Sequence, residues 1–373
     1  MSIVIAGGGV IGAAIAWRAA AAGADVTLVD PAPGRATSWA AAGMLAPVTE
    51  THFGEESLLA LNLASARLWP TFAADLAAAS GRDPGYRTCG TLTVARDLDD
   101  SAALAELLAF QQRLGLRVER LTASQMRARQ PSLSPRIRGG LSAPDDHQVD
   151  NRALVEALLV AARRAGVRFD TARVAAVVCE GERAVGVALD DGRRLGAEAV
   201  VLAAGCATAG IAGIPDGVVP PLRPVKGQLL HLRGPVEAVP AAGVIRGLDV
   251  YIVSRGDGRV VVGATTEELG NDTRVTAGAV LELLRAAWEL VPGIAELELV
   301  ETVAGLRPAT PDNAPALGPS AIDGLHVATG HYRNGILLTP ITAQAVTAGL
   351  SGRVPAEIAG FGPSRFFPAQ VRQ

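Results

Sequence analysis

Hydrophobic residues in the first thirty positions follow the order strand, turn, helix, strand. Ser2–Ala6 is a short β-branched strand, and Val10–Ala22 is an alanine-rich helix that stops at Gly23. Val26–Asp30 is the next strand. A strand that returns through a helix to another strand predicts a parallel pair in an open α/β sheet.

Helical and strand periods continue along the rest of the chain. The predicted helices are Leu58–Ala79, Ser101–Gly115, Arg152–Ala165 with Asp150 as its cap, Ala277–Leu290 and Asn334–Leu350. The predicted strands are Tyr86–Ala95, Gly139–Ala143, Arg173–Glu180, Ala184–Asp190, Ala199–Ala203, Gly227–Arg233, a hairpin over Val250–Thr266, and Leu325–Thr329, and the segment Val300–Leu306 leads back to the first part of the fold. Glycine turns after Arg173–Glu180 and Ala184–Asp190 predict a β-meander that ends in Ala199–Ala203. The wholly apolar run of that last strand also fits a buried parallel strand beside a nucleotide.

Changes of character near residues 81, 145, 221 and 305 predict two interleaved domains. The first, an α/β Rossmann-like nucleotide-binding domain, takes residues 1–80, 145–220 and 305–373. The second, of α+β character, takes residues 81–144 and 221–304 and is built on an antiparallel sheet that holds the substrate.

The turn after the first strand carries the spacing G-x-G-x-x-G at Gly7, Gly9 and Gly12. Gly7 permits the tight turn, Gly9 lets the backbone approach a pyrophosphate, and Gly12 lets the helix and the strand pack closely. The helix N-terminus offers free N–H groups to that anion. Asp30 stands where a carboxylate can bind a ribose hydroxyl. The alternatives are an unrelated glycine turn and a solvated carboxylate at a strand end.

Composition limits the remaining function classes. The 373 residues are 49% hydrophobic and 19% charged, and the net charge is −3 without a basic block, so we expect no nucleic-acid partner. The three cysteines have neither metal-ligand nor disulfide spacing, which favours a reducing compartment. The most apolar run, 199–214, is too short to span a bilayer, and the first strand leaves no room for a signal peptide. A cytoplasmic protein without a membrane or metal is the expectation.

A loop of small residues follows the ribose-binding strand. Ser38–Met44 has little bulk to pack, which suggests close approach to a flat ligand. An ordinary small-residue helix start is the alternative.

Seven segments in order carry a family resemblance. They read IAGGGVIG, TSWAAAGMLAP, VVLAAG, RPVKGQ, YIVSRGDGRVVVGAT, AGLRPATPD and ATGHYRNGILLTP. With them the chain resembles the flavin-dependent amine oxidases of the D-amino-acid-oxidase and sarcosine-oxidase family, in particular the glycine oxidases. The resemblance covers nearly the whole chain and implies a noncovalently held FAD in the first domain.

The resemblance also places the FAD along the chain. Val10 and Ile11 meet the pyrophosphate, Asp30 and Pro31 the ribose, and Val174 the adenine. Together with the glycine turn, the cofactor-binding residues it implies are Gly7, Gly9, Val10, Ile11, Gly12, Asp30, Pro31, Thr37, Ser38, Ala42, Gly43, Met44, Val174, Ala204, Gly205, Gly330, His331, Tyr332, Arg333, Asn334, Gly335, Ile336 and Leu337. If Gly330 and its successors begin the final helix, the helix dipole stabilises negative charge on the reduced flavin. A plain helix-capping turn is the alternative.

The implied reaction removes a hydride from the carbon that bears the amine and passes it to flavin N5. Oxygen then reoxidises the flavin to give hydrogen peroxide, and the imine hydrolyses to glyoxylate or another keto acid. Arg307 is assigned to the substrate carboxylate, which a guanidinium binds bidentately. Tyr251 adds a hydroxyl or covers the pocket, Arg333 lies at the approach, and Met44 lies near the flavin ring. The alternatives are a domain-bridging ion pair for Arg307, a core aromatic for Tyr251 and a surface salt bridge for Arg333.

Two positions depart from the glycine-oxidase pattern. Asp249 stands where a histidine is common, and Thr266 where a methionine is common. A more polar pocket could admit sarcosine or small D-amino acids. Lys226 is a further candidate, as a cation beside the flavin that aids oxygen reduction, against the alternative of a paired charge.

Three other functions stay open at this point: a dehydrogenase of the same fold with another electron acceptor, a nicotinamide dehydrogenase, and a flavin-binding scaffold without catalysis. The resemblance further implies that the imine can feed assembly of the thiamine thiazole ring. Relatives are often homotetramers, so a homo-oligomer is a possible state.

Overall fold

The structure, a computed structural model, describes residues 1–367. In this part of the chain the helices are α1 (Val10–Ala21), α2 (Thr37–Ala40), α3 (Glu56–Ser80), α4 (Leu98–Arg113), α5 (Ala123–Arg129), α6 (Asn151–Arg164), α7 (Ala277–Leu290) and α8 (Thr339–Leu350). The strands are β1 (Ser2–Ala6), β2 (Asp25–Val29), β3 (Met44–Leu45), β4 (Thr91–Ala95), β5 (Glu119–Thr122), β6 (Gly139–Ala143), β7 (His147–Gln148), β8 (Arg168–Asp170), β9 (Val174–Glu180), β10 (Arg183–Leu189), β11 (Arg194–Gly196), β12 (Ala199–Leu202), β13 (Arg223–Arg233), β14 (Gly243–Arg246), β15 (Tyr251–Ser254), β16 (Arg259–Gly263), β17 (Glu298–Ala309), β18 (Ala316–Pro319) and β19 (Leu325–Thr329).

A six-stranded sheet forms the first layer, in the order β18-β19-β12-β1-β2-β8. β1 is parallel to both of its neighbours, β2 and β12, and only β18 runs antiparallel to its partner. Helix α1 packs on this sheet between α6 and α8, in a core of aliphatic side chains. The predicted α/β class and Rossmann-like arrangement are confirmed.

A second, eight-stranded sheet has the order β17-β13-β16-β15-β14-β4-β6-β5, with all pairs antiparallel except β14 and β4. Its side chains alternate between two faces, as a pleated sheet requires. Leu230, Ile252 and Val262 pack on α7, whereas Leu229 and Tyr251 point to the opposite face. β17 runs through residue 305 as a continuous strand, so the boundary predicted there falls inside an element; the domain limits remain predictions.

The predicted β-meander is partly wrong. Its third strand is β11, which forms a small sheet with β10 and β9. Ala199–Leu202 instead joins the parallel sheet as β12, between β1 and β19. All four of its residues are buried, which suits a central parallel strand covered on both faces.

The predicted start of the last helix is also wrong. Tyr332–Asn334 form one short 3₁₀ turn, and α8 begins only at Thr339. Pro340 lies in the first turn of α8, where its missing N–H removes no hydrogen bond. Tyr332 has φ +46°, which is outside the helical region and separates the turn from the strand before it.

Other elements begin or end away from their predicted positions. Helix α4 starts at Leu98 because Asp97 caps it, accepting from the Asp100 N–H at 2.8 Å. Only Thr91–Ala95 of the predicted strand 86–95 is a strand. The small-residue loop contains the single-turn helix α2, so a helix start and a loop are both present there. As predicted, Asp150 caps α6. No helix in residues 1–367 is long and apolar enough to cross a membrane.

Candidate active site

A cavity of about 1630 Å³ extends from the glycine turn to one face of the eight-stranded sheet. At one end it is lined by residues at the carboxyl ends of parallel strands, among them Ala6, Val29 and Ala203. At the other end it is lined by side chains of the second sheet, among them Leu229 and Tyr251. The crevice outside the carboxyl ends of an open parallel sheet is where such folds bind ligands.

The glycine turn is shaped by backbone contacts. Gly7 has φ +109°, and a Cβ there would overlap the carbonyl of Ala203. A Cβ on Gly12 would overlap the carbonyl of Gly7. At Gly9 the nearest atom to an added Cβ is Ser38 Oγ, at 3.1 Å, so this glycine leaves the backbone open to the cavity. These positions fit the roles expected of a pyrophosphate-binding turn.

The N-terminus of α1 faces the same space. The N–H of Val10 donates to Ser38 Oγ at 3.1 Å, and within residues 1–367 the N–H of Ile11 has no recorded acceptor. A helix end with free N–H groups and a positive dipole favours an anion.

Asp30 is held at the end of β2 by two backbone donors. Its Oδ2 accepts from Gly8 N–H at 2.7 Å, and its Oδ1 accepts from Ala32 N–H at 2.7 Å. A carboxylate has about four acceptor positions, so lone pairs remain for a hydroxyl in the cavity that Asp30 lines.

Most of the predicted cofactor-binding residues line this cavity. They are Gly7, Gly9, Val10, Ile11, Asp30, Pro31, Thr37, Ser38, Ala42, Gly43, Met44, Val174, Ala204, Gly205, His331, Tyr332, Arg333, Asn334, Gly335 and Ile336.

Three predicted cofactor residues, Gly12, Gly330 and Leu337, do not line it. Gly12 serves the packing of α1 on the sheet. Gly330 has φ +77° and lies where a Cβ would overlap the Thr310 side chain. Leu337 is buried, and its carbonyl accepts from Ser65 Oγ and Trp69 Nε1.

The segment before α8 forms the far end of the cofactor space. Because α8 starts at Thr339, the turn over Tyr332–Asn334 faces the cavity, and the helix terminus itself does not. Burial lowers the pKa of His331 to about 3, so its ring is neutral; Nε2 lies 3.0 Å from Thr342 Oγ1. Asn334 is buried, and its Nδ2 has no partner in the described residues. An orphaned amide on a cavity wall fits a polar ligand edge.

Two glycines in the second sheet make room for two functional side chains. A Cβ on Gly227 would overlap the Arg307 guanidinium, and a Cβ on Gly263 would lie 2.5 Å from the Tyr251 hydroxyl. Both large side chains therefore lie against bare backbone and line the cavity.

Arg307 is oriented by carbonyl groups. Its Nη1 donates to the carbonyls of Lys226 at 3.3 Å and of Thr265 at 3.1 Å. No carboxylate in residues 1–367 forms a salt bridge with it. The alternative of a domain-bridging ion pair is therefore absent from the described structure.

Tyr251 lies beside Arg307. Burial raises the pKa of the Tyr251 phenol, although the Arg307 guanidinium works in the opposite direction. The phenol is protonated at neutral pH and can donate a hydrogen bond. Met44 packs in the same apolar cluster, with Ala42 and Leu229.

Arg333 is not a free cation. Its Nε lies 3.2 Å from Glu50 Oε2, and its Nη2 pairs with Glu55. Arg246, on β14, pairs with the same Glu50. The alternative of a salt bridge is therefore found, but among partly buried side chains and not at the open surface.

The cavity is also lined by Glu50, His52 and Arg246, which the sequence does not predict to be site residues. Glu50 and His52 lie between β3 and α3, in a stretch without helical or strand period. Arg246 lies on β14, which was not predicted. No local signal marks these residues.

Two charged residues singled out in the sequence, Lys226 and Asp249, form ion pairs in the structure. Lys226 is fully buried on the sheet face away from the cavity, with Nζ 3.2 Å from Asp272 Oδ2 and 3.9 Å from Glu267 Oε2. The alternative of a paired charge is therefore found for Lys226, and its side chain points away from the cavity because neighbours along a strand point to opposite faces. Asp249 lies at the cavity rim and pairs with Arg96 at 3.2 Å, while Thr266 lines the cavity.

The parallel sheet with its glycine turn, and the cavity between this turn and a second, antiparallel sheet, define the class of dinucleotide-binding folds. Comparison with protein families agrees, since the family described as FAD dependent oxidoreductase matches residues 2–348. The chain belongs to this family.

Several known proteins are similar to the chain over nearly all its length. Glycine oxidase of Geobacillus kaustophilus is 36% identical over 92% of the chain and 91% of its own length. The crystal structure of glycine oxidase from that organism superposes with a TM-score of 0.90, at 33% identity, over 97% of this chain and 98% of that one. The structure of iminodiacetate oxidase from Chelativorans sp. BNC1 gives a TM-score of 0.86 at 30% identity, covering 97% and 99%.

A third kind of relative is longer. The bifunctional protein ThiO/ThiG of Trichormus variabilis is 36% identical over 92% of the chain, but the match spans 52% of that protein. The chain therefore corresponds to about half the length of these bifunctional relatives.

Proposed function

We propose that the chain oxidises glycine, and with it sarcosine or small D-amino acids, using a noncovalently held FAD and molecular oxygen. The observation that carries the proposal is Arg307, a guanidinium on the cavity wall with no carboxylate partner in the described residues. A guanidinium that is positioned but not paired fits the carboxylate of an incoming amino acid. The names of the glycine oxidase relatives support the same substrate class.

The residues of the first domain fit FAD. The open backbone at Gly9 and the free N–H of Ile11 suit the pyrophosphate, and Asp30 suits the ribose. The orphaned amide of Asn334 suits a polar edge of the ring system. When bound, FAD supplies the acceptor for the hydride that leaves the substrate carbon.

The residues of the second sheet position the substrate. Arg307 binds the carboxylate, and the protonated hydroxyl of Tyr251 donates a second hydrogen bond to it. The apolar side chains of Ala42, Met44 and Leu229 exclude water from the space beside them. Holding one carbon in one orientation supplies much of the rate in such a reaction.

The imine formed from glycine would serve assembly of the thiamine thiazole ring. The resemblance implies this use, and the similarity to the ThiO half of the bifunctional relatives supports it.

The deciding experiment is the visible spectrum of the purified protein, made anaerobic, mixed with glycine and then reopened to air. We expect flavin bands that bleach with glycine and return in air with formation of peroxide. Bleaching without return in air would favour the dehydrogenase alternative, and a protein without flavin bands would contradict the proposal. Arg307→Ala should keep the flavin bands and lose bleaching at substrate concentrations that reduce the wild type.

A further inference from the structure

Three charged side chains besides Arg307 line the end of the cavity formed by the second sheet, and a fourth, Glu55, pairs with one of them. Glu50 lies between two guanidiniums, pairing with Arg246 and lying 3.2 Å from Arg333 Nε. Glu55 pairs with Arg333 on its other side. Glu50, Arg246 and Arg333 all line the cavity, and none has a role in the reaction proposed above.

Glu50 is ionised in this setting. Burial alone would raise the pKa of this carboxyl, but the Arg246 and Arg333 guanidiniums outweigh burial and hold the pKa below its usual value. Two carboxylates thus neutralise two guanidiniums. Of the three arginines at this end of the cavity, Arg246, Arg307 and Arg333, Arg307 alone has no carboxylate partner in residues 1–367, and it can neutralise one substrate carboxylate.

Arg246 and Arg307 lie on either side of the same phenol. Arg246 is directly opposite Tyr251 in the antiparallel pair of β14 and β15, and such residues have Cβ atoms about 5 Å apart. Tyr251 in turn lies beside Arg307. A substrate held by Arg307 therefore has the Glu50–Arg246 pair within the same stretch of wall.

We propose that Glu50 determines how many acidic groups a substrate of this cavity can carry. This inference rests on the function proposed above. While Glu50 occupies Arg246, a second carboxylate on the substrate finds no unpaired guanidinium there and lies beside the Glu50 carboxylate, so the amine that carries it is rejected. Without that charge, Arg246 becomes a second carboxylate-binding guanidinium. Glu50 is thus a specificity-determining residue between amino acids with one carboxylate and iminodiacids.

The test compares two substrates that differ mainly in charge, N-ethylglycine and iminodiacetate. In the wild type we expect kcat/KM to favour N-ethylglycine. Glu50→Gln keeps the size of the side chain and removes its charge, and should shift the ratio toward iminodiacetate by about tenfold or more. Arg246→Gln removes one of the two guanidiniums that neutralise Glu50. The ratio should therefore shift toward N-ethylglycine.

The double variant Glu50→Gln/Arg246→Gln serves as the control, since the gain for iminodiacetate needs the freed guanidinium and should be lost. Binding is measured separately, from the change that each compound causes in the visible flavin spectrum of the oxidised, anaerobic protein, so the charge effect is read without turnover. Equal losses for both compounds in Glu50→Gln, or an unchanged ratio in Arg246→Gln, would overturn the inference. A wild type that binds both compounds but is reduced by no amine would contradict the proposed function, while the ratio of binding constants still decides the role of Glu50.

Discussion

At the scale of single residues, the positions of the Arg307 and Tyr251 side chains depend on two glycines, which have no side chain of their own. Gly227 and Gly263 lie on the neighbouring strands β13 and β16, and the Arg307 and Tyr251 side chains lie over them. The backbone carbonyls that orient Arg307 are accessible because no side chain stands at Gly227. The absence of a side chain at Gly227 therefore determines how closely the Arg307 guanidinium approaches the backbone of the sheet.

Gly227→Ala tests this arrangement. The new methyl group overlaps the guanidinium of Arg307, which must move away from its carbonyl acceptors. We expect KM for glycine to rise by about tenfold, the loss of roughly one charge-assisted hydrogen bond. FAD affinity should not change, because the cofactor residues lie on other elements. Steady-state kinetics and FAD titration measure the two effects.

Gly278→Ala is the matched control, since that glycine lies in helix α7 with no atom within 4 Å of an added Cβ. It should leave KM unchanged. An unchanged KM in Gly227→Ala as well would show that Arg307 does not need the bare backbone.

Residue-level prediction succeeded where the signal is local. Gly7, Gly9 and Gly12 form a recognisable spacing within six positions of sequence, although two of them contact distant segments, Gly7 at Ala203 and Gly9 at Ser38. The ion pair of Glu50 with Arg246 joins residues 196 positions apart, and neither residue carries a local signature. Pairing of that kind is set by tertiary structure alone.

At the scale of elements, one buried arginine joins the eight-stranded sheet to helix α6 and to the segments around β3 and β7. Arg255 follows β15, and its guanidinium donates to four neutral oxygens. The acceptors are Gln148 Oε1, Val149 O, Ala42 O and Asn151 Oδ1. Two of them lie at the start of α6 or just before it, and another lies in the loop beside Met44. The hairpin of the second sheet is thereby fixed to the cofactor domain.

Arg255→Lys tests this joint. An ammonium has three donors without the planar fork of arginine and leaves buried carbonyls unsatisfied. We expect the free energy of unfolding to fall by about 3 kcal/mol and FAD to bind more weakly, because the loop over Ala42 and Gly43 loses its support. Urea denaturation and FAD titration are the measurements.

Arg259→Lys is the control, because Arg259 is half exposed and pairs with Asp150 and Asp257 at the same hairpin. Exposed ion pairs contribute about 1 kcal/mol or less. Similar losses in the two variants would mean that the joint is not specific to Arg255.

Element prediction was right about most types and wrong about some ends. The sequence predicts helix α1 and strand β2 because the change in hydrophobic period falls at Gly23, the glycine that follows the helix. Asp97 and Pro340 are local signals of where α4 and α8 begin. The predicted helix starts follow the apolar period instead and therefore differ from the observed ones. β11 and β14 could not be found from the period, because both are short and β14 depends on pairing with β4, far away in the chain.

At the scale of the whole molecule, the pKa of each of the five histidines is lowered, chiefly because desolvation disfavours the charged ring. Burial lowers the pKa of His231 to about 4 and that of His331 to about 3. A group with a lowered folded pKa takes up its proton first in the unfolded state. The stability that the neutral rings contribute is therefore fully present above pH 6.5, near the pKa of an unfolded histidine. It is lost as the pH falls from there toward the pKa of the folded state. Asp146 acts in the opposite direction, since burial raises its pKa to about 6.

His331→Gln isolates one of these contributions. Glutamine keeps a hydrogen-bonding group near Thr342 and has no titration. Between pH 6.5 and pH 5 the wild-type histidine should contribute a loss of about 1.4 kcal/mol per pH unit. Urea denaturation at pH 7.5 and pH 5 should thus show a smaller fall in unfolding free energy for the variant, by about 2 kcal/mol. Equal falls would contradict a neutral, buried His331.

The order of strands in the six-stranded sheet bears on how the protein is made. β1 is translated long before β12, which is one of its neighbours, and before β19, which lies one strand further out. A growing chain on the ribosome therefore exposes the apolar edge of β1 until residues 199–202 have emerged, and such edges aggregate. The cavity is completed only by residues 331–336. We therefore expect the proposed flavin site to form only late in synthesis, after residues 331–336 have emerged.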